Sequence, residues 1–154
     1  MENRPRVIED LERQAYKFWE RGDYYITYLF FYSLIEGALR DFLKVSPDVD
    51  LRLFDLINKL EKFLETPPYT QPKSAVKNTI DNLTKFRKTR NKLVHNLWRF
   101  GYKELNEKSK QSARQAFITY LLNVEYLGTF NEEFEQRWGV EYESLGEIEE
   151  WLKV

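Results

Sequence analysis

A chain of 154 residues with 42% hydrophobic and 32% charged side chains has room for one core and too many apolar groups to remain unfolded. Cysteine is absent, which excludes a disulfide framework and a thiolate metal site and points to a reducing cytoplasm. Net charge is −1, so the overall balance selects no partner, but its distribution does: Asn82 to Lys103 holds seven cations and no acid, and Glu132 to Glu150 holds eight glutamates and one arginine.

The opening MENRPRVIEDLERQ is too charged for a signal peptide. A first helix is expected from about Arg6 to Arg21, with Ile8, Leu11, Ala15 and Phe18 on one stripe. Gly22 is suited to a left-handed cap at its end, and Asp23 to the N-cap of the next helix. That second helix, Tyr24 to about Val45, is apolar almost all round through Ile35, which predicts burial on two sides: one against the core, one against a second subunit. Tyr24, Tyr25, Tyr28, Phe31 and Tyr32 form its aromatic surface, shared between core and dimer seam. The apolar stretch within it, YYITYLFFYSLI, has 12 residues, short of the ~20 that span a bilayer, so no membrane partner is expected.

Ser46-Pro47-Asp48 breaks the chain, and a third helix from about Leu51 to Glu65 carries Leu53, Leu56, Ile57, Leu60 and Leu64 inward. The loop Thr66 to Pro72 follows. A fourth helix offers Val76, Ile80, Leu83, Phe86, Val94 and Leu97 to the core and gives out around Gly101. A fifth, from about Asn106 to Trp138, steps through Ala113, Phe117, Tyr120, Val124, Leu127, Phe134 and Trp138, with Gly128 a point of interruption. A short acidic helix is expected near Leu145 to Leu152. The fold class is therefore all-α: an antiparallel bundle of four to five main helices over residues 1–138, with residues 139–154 an acidic extension packed on it or trailing from it.

The fourth helix carries RKTRNKLVHNLWR, residues 87–99, with the lone histidine of the chain. Asn91 and His95 are i and i+4, on one helical face, whereas Arg90 is about 140° round the helix from His95. An imidazole, a fixed guanidinium and an amide form a minimal set for metal-free RNA cleavage. His95 would move protons at the 2′-hydroxyl or the leaving 5′-oxygen, Arg90 would hold charge on the phosphoryl oxygens, and Asn91 would orient a phosphate or the imidazole. The bland alternative for His95 is a helix-end histidine hydrogen-bonded to a carbonyl.

Lys85, Arg87, Lys88, Lys92, Arg99 and Lys103 make up the rest of the basic strip, which would attract an RNA backbone without reading its sequence; a solvated helix face explains the same residues. Trp98, Phe100 and Tyr102 either stack on unpaired bases or serve as core and lid. Glu36, the one charge between Tyr24 and Leu39, needs a partner if buried; either any nearby arginine serves, or it reaches Arg90 and fixes the guanidinium. No metal or cofactor is implied: Glu-x-x-His repeats, a phosphate-cradling glycine loop and a nucleophile elbow are all missing.

Arg-Asn-Lys-Leu-Val-His, residues 90–95, resembles the arginine, polar residue, three variable residues and histidine signature of the HEPN (higher eukaryotes and prokaryotes nucleotide-binding) superfamily. That family sets the signature late in a helix of a small all-α bundle, after a helix that begins much like GDYYITYLFFYSLIEGALRDFL. The resemblance implies a metal-independent endoribonuclease acting as a homodimer, a toxin or a defence and stress component, with RNA and an antitoxin or other partner protein as its partners. By match, Arg90, Asn91 and His95 are the catalytic set it implies. Where nucleotidyltransferase-paired members carry a modified tyrosine, this chain has Leu97. The alternative is a non-catalytic HEPN-like module that binds RNA, a nucleotide or a protein through the same cleft.

Overall fold

The computed structural model describes residues 5–140. They form six helices and no strand: α1 (Arg6–Glu20), α2 (Tyr24–Phe42), α3 (Leu53–Glu65), α4 (Lys73–Lys108), α5 (Lys110–Gly128) and α6 (Glu132–Trp138). The acidic helix expected near residues 145–152 lies outside the described residues.

α1 ends as its sequence dictates. Gly22 takes φ 79°, its N–H donates to the Trp19 carbonyl (3.0 Å) and that of Asp23 to Phe18 (2.8 Å), the paired bonds of a left-handed helix stop. The start of α2 differs from expectation. The Asp23 carboxylate makes no capping bond. Instead Asn106, far along α4, accepts from the Tyr25 N–H (3.0 Å) through Oδ1 and donates to the Gly22 carbonyl (2.8 Å) through Nδ2. One amide thus satisfies an orphan donor of α2 and an acceptor of the preceding turn.

α2 is the central helix and packs against α1, α3, α4, α5 and α6. Tyr25, Tyr28, Phe31, Leu34, Ile35, Ala38, Leu39 and Phe42 are buried, and Tyr24 and Tyr32 are half-buried. The chain's own helices thus cover most of the aromatic face of α2, and Tyr24 and Tyr32 stay partly exposed. Phe31 meets Phe117 and Tyr120 of α5, each at 5.6 Å between ring centroids, and Tyr28 meets Phe86 of α4 at 5.2 Å.

In α3 the five expected residues, Leu53, Leu56, Ile57, Leu60 and Leu64, are all buried. In α4 the buried set is Val76, Leu83, Phe86, Leu93 and Leu105, so Leu93 takes the inward place expected of Val94. α4 also outruns its expected end. Gly101, at φ 79° and ψ 169°, bends it, and the chain re-enters helix as far as Lys108. That backbone conformation is open essentially only to glycine. The helix expected from Asn106 to Trp138 is two, broken at 129–131, where Asn131 caps α6 by accepting from the Phe134 N–H (3.0 Å). Asp41 fastens α6 to α2 by accepting from Trp138 Nε1 (2.6 Å) and pairing with Arg137 (3.0 Å).

Candidate functional site

α4 holds the site because it is tied to α2 one turn ahead of it. The buried Tyr28 hydroxyl donates to the Phe86 carbonyl (2.6 Å), four residues before Arg90. Burial drives the Tyr28 phenol far above its ordinary range, with Tyr32 adding to the rise and the Arg90 charge opposing it, so it stays a neutral donor. The Phe86 ring then stacks on Tyr32, 5.3 Å between centroids and 25° apart in plane.

Two arginines rest on this aromatic framework. The Arg90 guanidinium lies over the Tyr32 ring of α2 at 5.3 Å, and that of Arg87, one turn earlier, lies over the Phe54 ring of α3 at 5.2 Å. Both Nε atoms are buried with no hydrogen-bond partner among the described residues. Neither guanidinium has a carboxylate within ion-pair distance there. Arg90 Nη1 makes only a long contact with Asn91 Oδ1, at 3.4 Å. Burial also raises the Tyr32 phenol, against the pull of Arg90, with Glu36 adding to the rise.

Arg87, Arg90 and Asn91 open onto a cleft of about 940 Å³ between α2, α3 and α4, lined also by Tyr32, Glu36, Arg40, Arg52, Phe54 and Asp55. Three of its other charged side chains, Arg40, Glu36 and Asp55, have internal duties. Arg40 donates to the Ser46 (3.4 Å), Val49 (3.0 Å) and Leu51 carbonyls and so stitches down the segment between α2 and α3. Glu36 pairs with Arg40 at 3.7 Å, and Asp55 accepts from the Arg52 N–H at 3.0 Å. The expected Glu36–Arg90 contact is thereby corrected. Glu36 is only partly buried, and the arginine one turn further along its own helix supplies its counter-charge. Two guanidinia on ring faces in a concave site, without a carboxylate partner among the described residues, suit a phosphate or another polyatomic anion.

His95 is placed differently. It is exposed, one turn beyond Asn91, and does not line the cleft. Arg90 and Asn91 are thus brought together, while His95 stands on the adjoining open surface. Helical geometry also divides the basic strip. Lys85, Lys88 and Lys92 border a second, shallow groove of about 420 Å³ with Asp81, on a different side of α4 from Arg87 and Arg90. Arg99 stacks on Phe100, and Lys103 is exposed beyond the bend at Gly101.

Phe54 and Arg52 were not singled out in the sequence, and Tyr32 only as part of the aromatic surface of α2, not as a ring beneath Arg90. For Phe54 a signal existed: Leu53 and Phe54 are adjacent at the start of α3, and two successive helical residues point about 100° apart. Leu53 took the core and Phe54 stayed 53% exposed. Among the described residues no group of three or more His, Asp or Glu side chains is arranged to hold a metal ion, and no helix is long and apolar enough to cross a membrane. Comparison with protein-family models, with curated proteins and with solved structures yields no match to this chain.

Proposed function

We propose that this protein is a metal-independent endoribonuclease of HEPN type. Arg90 grips the scissile phosphodiester from the cleft edge, Asn91 orients it, and His95 serves as general acid and base. Attack by the 2′-hydroxyl forms the bond to phosphorus as the bond to the 5′-oxygen breaks. The products are a 2′,3′-cyclic phosphate and a 5′-hydroxyl, the proton passing from the first oxygen to the second through the imidazole. Two copies act together, each α4 bringing its histidine to a shared groove.

The observation that carries this reading is the Arg90 guanidinium: set on a ring, with no counter-ion among the described residues, beside Asn91 on an open cleft, with an exposed imidazole one turn on. The test is incubation of the purified chain with single-stranded RNA in EDTA, at concentrations where it self-associates. Cyclic-phosphate ends should appear, and His95→Ala should slow their formation about 10²–10⁴-fold. Intact RNA under those conditions overturns the proposal.

The position of His95 outside the cleft favours a second reading, a module that binds RNA through Arg87 and Arg90 without cutting it. Arg90→Ala and His95→Ala then weaken binding and product never forms.

A further inference from the structure

Of the three aromatic residues near the end of the straight part of α4, two have a place in the fold. Tyr102 sets its ring edge-on against buried Tyr25, at 6.2 Å between centroids. Phe100 lies beneath the Arg99 guanidinium (5.1 Å) and the Lys108 ammonium (4.4 Å). Trp98 has no such place. Its indole is 92% exposed, more than any other large apolar side chain among the described residues, and none of those residues contributes a ring, a cation or a hydrogen bond to it.

Its surroundings specify what would cover it. Trp98 is three residues from His95, so the indole and the imidazole share one face of α4, and Arg99, four residues from His95, flanks them with its guanidinium over Phe100. No acid occurs anywhere from Asn82 to Lys103. A tryptophan that anchors a protein partner sits in a patch poor in charge, and lysine is depleted there. Here every charge in the surrounding stretch of sequence is a cation, Lys92, Arg99 and Lys103 among them. A flat ring amid positive charge complements an unpaired nucleobase, which stacks on the ring while its flanking phosphates meet the cations.

We infer that Trp98 is a stacking platform for an unpaired base next to the phosphodiester presented to His95, which makes single-stranded rather than duplex RNA the ligand of this face. The inference rests on the RNA reading proposed above but not on cleavage.

The test uses a fluorescein-labelled single-stranded 12-mer of 2′-O-methyl uridines. It has no free 2′-hydroxyl to attack, so it survives wild-type protein. Fluorescence anisotropy should show Trp98→Ala and Trp98→Gln weakening binding roughly 5- to 100-fold, the scale of one lost base stack, with Trp98→Phe within about threefold of wild type. Binding of a duplex of equal length should respond to none of the three, and melting temperatures should match the parent because the indole packs on nothing. Wild-type affinity in the alanine and glutamine variants overturns the inference. So does equal loss in the phenylalanine variant, or dissociation of a wild-type dimer by Trp98→Ala, which would assign the ring to contact between copies. Weakened binding with no cleavage of natural RNA keeps the stacking role and removes the nuclease; cleavage and binding indifferent to Trp98 do the reverse.

Discussion

At the scale of single residues, the placement of the site depends on a neutral phenol. The Tyr28 hydroxyl links the central helix to the Phe86 carbonyl, and deep burial keeps its proton on. Raising a tyrosine pKa in the folded state leaves stability intact below the unfolded value of 10.0; as pH climbs past it the unfolded chain ionises first and stability falls. Tyr28→Phe should therefore cost about 1 kcal/mol at neutral pH and make the alkaline loss shallower than in wild type, as read from urea denaturation at pH values from 7 to 11. A wild-type slope in the variant would show that the phenol is not shielded as described. Arg90 and Asn91 were legible in the sequence because a fixed spacing on one helix needs no knowledge of tertiary structure. The partner of Glu36 was not. A carboxylate isolated in apolar sequence says that a counter-charge is needed, but both Arg40 and Arg90 were available, and only the packing of α2 on α4 decided between them.

At the scale of elements, stops and starts separate what local chemistry dictates from what the fold imposes. Gly22 ends α1 in the left-handed region because glycine does so without steric cost. α2 ends in the same way at a residue that gave no sign of it. Lys44 takes φ 56°, its N–H donating to the Asp41 carbonyl (3.2 Å) and that of Val45 to Arg40 (2.9 Å). A side chain in that region costs roughly 1–2 kcal/mol. Lys44→Gly should relieve most of it and stabilise the protein by about 1 kcal/mol, seen as a higher urea midpoint at unchanged slope. The Asn106 cap on α2 was illegible for the opposite reason: its donor and acceptor lie more than eighty residues away in sequence, and Asp23 offered a local solution that the fold does not use. Likewise, Gly101 marks a bend rather than an end because Leu105 still has a core to enter.

For the molecule as a whole, hydrophobic periodicity found most of the core: every inward residue expected of α3, α5 and α6 is buried. In α1, by contrast, Glu12 and Trp19 are buried and Leu11 and Phe18 only partly so, and in α4 Ile80, Val94 and Leu97 stay half-buried. Periodicity was silent about α2 for a physical reason, since a helix that is apolar all round can be wrapped by its own chain or by another, and the pattern is the same. Charge was legible in amount but not in arrangement. The cations of α4 fall on two sides of one helix, so on the proposed reading an RNA strand in the cleft would meet Arg87 and Arg90 first, and Lys85, Lys88 and Lys92 only by crossing to the other groove. Affinity for single-stranded RNA should therefore fall with salt despite the net charge of −1, with a log–log slope of about −2 to −3.5 for three to five neutralised phosphates. Arg87→Ala should make it shallower by about 0.7, and a salt-independent affinity would remove the electrostatic account altogether.

The two cleft guanidinia lean on the rings of Tyr32 and Phe54, and neither arginine belongs to the fully buried core. Foldability and the proposed chemistry would thus be entrusted to different side chains. A lineage of this bundle could lose the proposed anion grip by one or two exchanges at Arg87 or Arg90 at little cost in stability, and persist as a sound scaffold open to other work.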